Sequence, residues 1–136
     1  MTLVDSNILL DVFTEGSAWL EWSLLQLENA ALRGPLLIND VIYAETSIRF
    51  ERAEAFDKAL ADAGITITPT PCLALFLAGK AFTRYRGSGG GRTGVLPDFF
   101  IGAHAEVDRL ALLTRDTRRY RSYFPAVKLI APEGER

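Results

Sequence analysis

An α/β fold built on a parallel sheet is the class this sequence predicts. Three observations predict it. Short apolar or β-branched runs alternate with longer segments of helical period, from Thr2 to Ile130. Glycine and proline stand at several of the junctions. The 136 residues hold 49% hydrophobic and 24% charged side chains, the balance of one globular domain with a core of its own. Strands alternating with helices favour parallel pairing with helices on both faces.

Each element follows from its residues. Thr2 to Asp5 reads as a short buried strand, and Asn7 to Phe13 as a helix. Ser17 to Arg33 places Leu20, Leu24, Leu27 and Ala31 at helical spacing, and Gly34-Pro35 stops it. Leu36-Leu37-Ile38 is too short for a helix and predicts a strand. Asn39 or Asp40 is placed to cap the next helix, which carries Val41, Ile42, Ala44 and Ile48. Glu51 to Ala63 repeats Ala53, Phe56, Leu60 and Ala63, then Gly64 ends it. Ile65 to Thr68 is β-branched and predicts a strand. Cys72 to Tyr85 predicts a helix with Leu73, Leu77 and Ala81 on one face.

The glycine-rich stretch Gly87 to Gly94 predicts a flexible segment, too short to divide domains. Pro97 then opens a helix with Phe99, Ala103 and Val107 on one face. Leu110 to Leu113 predicts a strand, Asp116 to Tyr123 a short helix, and Val127 to Ile130 a last strand. A single domain over 1–136 is expected, with 132–136 a frayed tail.

The totals exclude several classes. A formal net charge of −2 is not that of a bulk-basic nucleic-acid binder. Contact with RNA or DNA would need a local basic patch or bound cations. One cysteine, Cys72, rules out a disulfide framework and a cysteine-rich zinc site, and reads as a small hydrophobe. No apolar run approaches a membrane span, and no secretion signal opens the chain, so a cytoplasmic location is expected.

Four acids carry the functional reading. In an open parallel sheet the ligand crevice lies beyond the carboxyl ends of the strands. Asp5 ends the first strand, and Asp116 follows the strand Leu110 to Leu113, so both are aimed at one crevice. Asp98 stands in the first turn of its helix. Glu45 is spaced onto or beside the buried face of its helix, where an unpaired charge is costly. Each has an ordinary explanation: helix caps for Asp5 and Asp116, a dipole partner for Asp98, an ion pair with Arg49 for Glu45. Their common placement is what ordinary explanations leave over. Clustered carboxylates repel unless protons or a cation neutralise them. An all-oxygen set suits Mg²⁺ or Mn²⁺, and such a site suits attack on a phosphate.

The stretches Val4-Asp5-Ser6-Asn7, Tyr43-Ala44-Glu45, Leu96-Pro97-Asp98-Phe99-Phe100-Ile101-Gly102-Ala103-His104-Ala105 and Leu113-Thr114-Arg115-Asp116 resemble the successive motifs of PIN-domain ribonucleases. More narrowly, the chain resembles VapC-type toxins of toxin–antitoxin pairs, over nearly its whole length. The resemblance implies an αβα sandwich with a central parallel sheet of about five strands. It implies Mg²⁺- or Mn²⁺-dependent cleavage of RNA, a homodimer, and a cognate VapB-like antitoxin that fills the active-site groove. By position, Asp5, Glu45, Asp98 and Asp116 would form the acidic quartet. Asp5, Asp98 and Asp116 would hold the metal, with Asn7 and Thr114 as polar supporters.

An RNA backbone would need cations. Arg84, Arg86 and Arg92 flank the glycine segment, and Arg115, Arg118, Arg119 and Arg121 follow the strand that precedes Asp116. Tyr85, Tyr120 and Tyr123 interleave with them, suited to packing or to base stacking. His104, the only histidine, lies off the face of Asp98 and reads as a core or helix-surface residue. Trp19, Trp22, Phe50 and Phe56 read as core first, and as a partner surface second. A Mg²⁺ phosphatase-like domain is the rival enzyme class, but Asn7 stands where it would want a second acid. A non-catalytic binding module is the third reading, for which an intact acid cluster would be an electrostatic cost.

Overall fold

The computed structural model describes residues 1–90 and 95–132. The segment 91–94, with Arg92 and the end of the glycine-rich stretch, and the tail 133–136 lie outside the described residues. Five short strands form one sheet: β1 (Thr2–Val4), β2 (Leu36–Ile38), β3 (Ile65–Ile67), β4 (Ala111–Leu113) and β5 (Leu129–Ile130). Their order is β3-β2-β1-β4-β5, and every pairing is parallel. Leu3 pairs with Leu37 on one side and Leu112 on the other. The chain thus winds outward from β1 through β2 to β3, then returns to build β4 and β5 on the other side of β1. The strand order reverses between β1 and β4, which is where a doubly wound sheet opens its crevice.

The helices are α1 (Ser6–Phe13), α2 (Leu20–Arg33), α3 (Asp40–Ser47), α4 (Ala53–Asp62), α5 (Cys72–Gly87), α6 (Leu96–Val107) and α7 (Arg118–Tyr123). Crossovers in opposite directions from β1, right-handed by the general rule for parallel strands, put helices on both faces, a three-layer sandwich. Among the described residues, no helix is long and apolar enough to cross a membrane. Leu3, Val4, Ile38, Leu112 and Leu113 are fully buried, because the central strands are covered on both faces.

Local chemistry sets the boundaries. Asn39, rather than Asp40, caps α3: its Oδ1 accepts from the Ile42 N–H at 2.9 Å. Gly64, at φ +72°, makes the left-handed turn that takes α4 into β3. Gly102 lets α6 lie flat on Phe124, since a Cβ there would sit inside the Phe124 ring. Rings of Phe82, Tyr85, Phe99, Tyr123 and Phe124 then knit α5, α6 and the end of α7 together.

Several expected faces are displaced. On α2 the buried residues are Ser23, Leu27 and Ala30, while Leu20 and Leu24 are exposed. Ser23 faces inward because its hydroxyl donates to buried Asp11 at 2.6 Å. On α5 the buried stripe is Ala74, Ala78 and Ala81, and Leu73 is 58% exposed. Close packing of α5 on α6 favours the small side chains. Cys72, at the start of α5, is exposed rather than buried. The helix expected from Asp116 begins only at Arg118, because Asp116 is held in a turn by its N–H bond to Thr114 Oγ1. Phe56 is core; Trp22 and Phe50 only lean on it.

Candidate active site

The site begins at the carboxyl end of β1. Asp5 leaves the sheet with its N–H bonded to the Leu113 carbonyl, so the ends of β1 and β4 stay locked together. Its carboxylate is buried and accepts three good hydrogen bonds. The Ser6 N–H donates to Oδ1 at 2.7 Å. Thr114 Oγ1 and the Tyr120 hydroxyl donate to Oδ2 at 2.8 and 2.9 Å. Asp5 therefore caps α1 and also joins three elements of the chain.

Glu45 reaches the same place from α3. The Ser6 hydroxyl donates to Glu45 Oε1 at 3.1 Å and lies 3.5 Å from Asp5 Oδ1. One hydroxyl thus spans two carboxylates. Glu45 bonds Ser6, not the i+4 arginine that would have made it an ordinary helix pair. Asp98, from the first turn of α6, pairs with Arg119 Nη1 at 2.5 Å. Asp116 is exposed on the turn after β4.

Supporting groups hold that turn. Asn7 Nδ2 donates to Thr114 Oγ1 at 3.2 Å, and Asn7 Oδ1 accepts the Arg115 N–H at 3.1 Å. Thr114 commits its one proton to Asp5 and accepts from Asn7 and the Asp116 N–H. Arg115 extends the brace: its guanidinium forks onto Asp11 at 2.7 and 3.0 Å and stacks over Trp19. Burial works against ionisation of Asp11, but bonds from Arg115, Ser23 and Ser17 outweigh it and hold the carboxyl below its usual range.

The electrostatics of the acids run the other way. Burial pushes the Asp5 carboxyl up, with the charge of Asp116 adding to it, against the bonds from Thr114, Tyr120 and Ser6. Burial, then the charges of Asp5 and Asp98, push Glu45 up to about 7. Burial and Asp5 push Asp98 up to about 6, even with Arg119 beside it. Burial and the charges of Asp5, Asp98 and Glu45 push the Tyr120 hydroxyl well above its ordinary value. Carboxylates from four separate stretches therefore feel one another at the switch point of the sheet. Among the described residues, however, no three acidic, histidine or cysteine side chains stand close enough to hold one metal ion as they are.

The expected cations divide. Arg84, Arg86, Arg118 and Arg121 are exposed, and Arg92 lies outside the described residues. Arg115 is engaged by Asp11, and Arg119 by Asp98. Tyr85 and Tyr123 pack on Phe99. Tyr120, Ser6 and Arg119 are the contacts that sequence reasoning missed. A polar residue directly after Asp5 was the available signal for Ser6; nothing in the order of residues points Tyr120 at Asp5.

A family model described as PIN domain matches residues 2–125. No curated protein sequence matches the chain. Solved structures do. VapBC2 from Rickettsia felis, bound to a DNA fragment from its promoter, is similar at a TM-score of 0.71 and 16% identity, covering 97% of this chain and 98% of that one. FitAcB from Neisseria gonorrhoeae is similar at a TM-score of 0.68 and 16% identity, covering 96% of each chain. A toxin–antitoxin complex from Klebsiella pneumoniae is similar at a TM-score of 0.62 and 22% identity, covering 93% of this chain and 95% of that one. At these identities the likeness is one of fold.

Proposed function

Because the chain belongs to the PIN domain family, whose members are generally nucleases, we propose that it is a divalent-metal-dependent endoribonuclease and the toxin of a toxin–antitoxin pair. The observation that carries this reading is the gathering of Asp5, Glu45 and Asp98 around one switch point, with raised carboxyl values and Arg119 as the cation on Asp98. Acids at a crevice that their hydrogen bonds and Arg119 only partly compensate are costly for the fold and useful to a cation-dependent hydrolase.

The donor chemistry fits Mg²⁺ or Mn²⁺: every candidate group is a carboxylate, and Asp5, Asp98 and Asp116 are the ones we assign to the ion. The fit lies in charge and atom type rather than in a preformed array. A bound divalent ion would supply charge neutralisation and Lewis-acid polarisation of a phosphodiester. The chain's own groups do the rest. Thr114, Tyr120 and Ser6 fix both oxygens of Asp5. Without the ion, Glu45 at about 7 keeps its proton to near neutral pH, and a bound cation would favour its release. Asn7 fixes the turn that carries Asp116. The exposed Arg84, Arg86 and Arg118 are available to the RNA backbone.

The toxin role takes its support from the complexes that share this fold. It names a VapB-like antitoxin as partner and a homodimer as the working form, for which exposed Ile67, Leu73 and Phe76 offer apolar surface. The decisive experiment compares wild type and Asp5→Asn on RNA, in Mg²⁺ and in EDTA. Cleavage by wild type in Mg²⁺ only, and loss of cleavage in a folded Asp5→Asn, is expected. Equal cleavage by both would place the chemistry elsewhere. Co-purification of the antitoxin expressed from an adjacent reading frame tests the partner.

A further inference from the structure

His104 is buried on α6, at 0% exposure, and the proposed chemistry does not use it. Its ring has two partners. Asn39 Nδ2 lies 3.1 Å from Nδ1, and Asp108 Oδ2 lies 3.1 Å from Nε2. The hydrogen-bond network assigns the proton. Asn39 Oδ1 is already committed to the Ile42 N–H at the start of α3, so its NH₂ group faces His104. Nδ1 must then accept, and Nε2–H donates to Asp108. Asn39 is also fully buried, so a buried hydrogen bond crosses from α6 to the cap of α3.

Its position along the two helices is what matters. Asn39 is six residues before Glu45 on α3, and Asp98 is six residues before His104 on α6. The start of α3 meets the later half of α6, so the helices run antiparallel. Six residues of helix rise about 9 Å. At one end of the seam stands the Asn39–His104 bond. At the other stand Glu45 and Asp98, two carboxylates that repel. The outer side of the seam is not closed by packing: an open cavity of about 320 Å³ lies there, lined by Asp40, Val41, Ala44, Leu96, Pro97 and Phe100. Apolar contacts across such a seam tolerate sliding, whereas a buried hydrogen bond admits one register.

We propose that the hydrogen bond between buried Asn39 and buried His104, whose ring is held from its other side by exposed Asp108, is a positioning device: it fixes α3 against α6 and so holds Glu45 opposite Asp98. His104 touches no reacting atom; it acts through the helix it anchors. The inference rests on the metal-dependent reading of the acids, and its test separates the two.

The experiment is calorimetric titration of the full chain with Mn²⁺. Leucine and asparagine are close in size, but only asparagine can accept from Asn39. His104→Leu should weaken Mn²⁺ binding about tenfold, the usual scale for groups that orient metal-binding side chains. His104→Asn should recover most of that loss. Asn39→Ser keeps a cap on α3 but is too short for His104, and should bind as weakly as His104→Leu. The double variant should be no weaker than either single one. Leu60→Ala, on α4, supplies a core-destabilised control expected to bind Mn²⁺ like wild type. Equal binding by wild type and His104→Leu would overturn the proposal, as would equal losses in His104→Leu and His104→Asn. No Mn²⁺ binding by wild type would instead overturn the metal-dependent reading, and the positioning role with it.

Discussion

Raising the pH should weaken the metal-free protein, and Glu45→Gln should remove part of that loss. The folded-state carboxyl of Glu45 lies at about 7 against an ordinary 4.5, and that of Asp98 at about 6 against 3.8. Between those limits the folded chain keeps a proton that the unfolded chain has released. The associated stability is fully present below the ordinary value and is lost as pH rises through the folded-state value. A tenfold difference in proton affinity is worth about 1.4 kcal/mol, so moving from pH 5 to pH 8 costs about 1.4 kcal/mol at Asp98. The same arithmetic gives about 2.7 kcal/mol at Glu45, which solvent screening at its part-open carboxylate cuts to about half. Urea unfolding in EDTA should therefore show a drop of about 3 kcal/mol between the two pH values. Glutamine keeps an oxygen for the Ser6 hydroxyl but carries no charge. At pH 8 the variant should be more stable than wild type by about 1 kcal/mol, and at pH 5 the two should agree within about 0.5 kcal/mol. A stability profile that is flat or rises over this range, or a variant no better at pH 8, would refute the reasoning.

Other expectations follow from the same contacts. A Mg²⁺ concentration about a hundred times the dissociation constant at pH 8 should stabilise the fold by about 2.7 kcal/mol there, and the same concentration should stabilise it less at pH 5, measured by thermal unfolding. Tyr120→Phe removes one donor from Asp5 and should cost about 1–2 kcal/mol in denaturant unfolding. Arg115→Ala leaves Asp11 buried with only serine donors and should cost about 3 kcal/mol, a loss that shrinks in strong acid as Asp11 takes up its proton. Gly102→Ala drives a methyl group into Phe124 and should cost about 1–3 kcal/mol, visible as a lowered Tm.

The sheet and its helices were legible because hydrophobic period and turn residues act locally. Leu36 to Ile38 and Ile65 to Ile67 have the composition of strands, and Gly64 ends a helix by its own conformational freedom. Orientation was not legible. On α2 a serine faces inward to serve Asp11, which lies twelve residues earlier, and no count of apolar residues shows that bond. On α5 alanines are buried and Leu73 is not, because a neighbouring helix sets the spacing. The candidate site divides in the same way. Asp5 and Asp98 are visible as acids at a strand end and a helix start, and Glu45 as an acid inside a helix on or beside its buried face. Tyr120 on Asp5 and Arg119 on Asp98 depend on how α7 docks, across 115 and 21 residues of chain. Asp116 reads as a helix start, but Thr114 takes its N–H and delays the helix to Arg118.

The reversal of strand order between β1 and β4 has a consequence for what the scaffold can absorb. Asp5 and Thr114 hang from the adjacent strands β1 and β4, and Thr114 is tied to β5 by its N–H on the Ile130 carbonyl, so β3 at the far edge is the spectator to their spacing. Lengthening the connection after β3, or grafting a peptide beyond β5, should leave the Asp5–Thr114 bond in place. The β3 edge of this sheet is free ground for variation, while β1, β4 and the β5 rung that holds Thr114 are not.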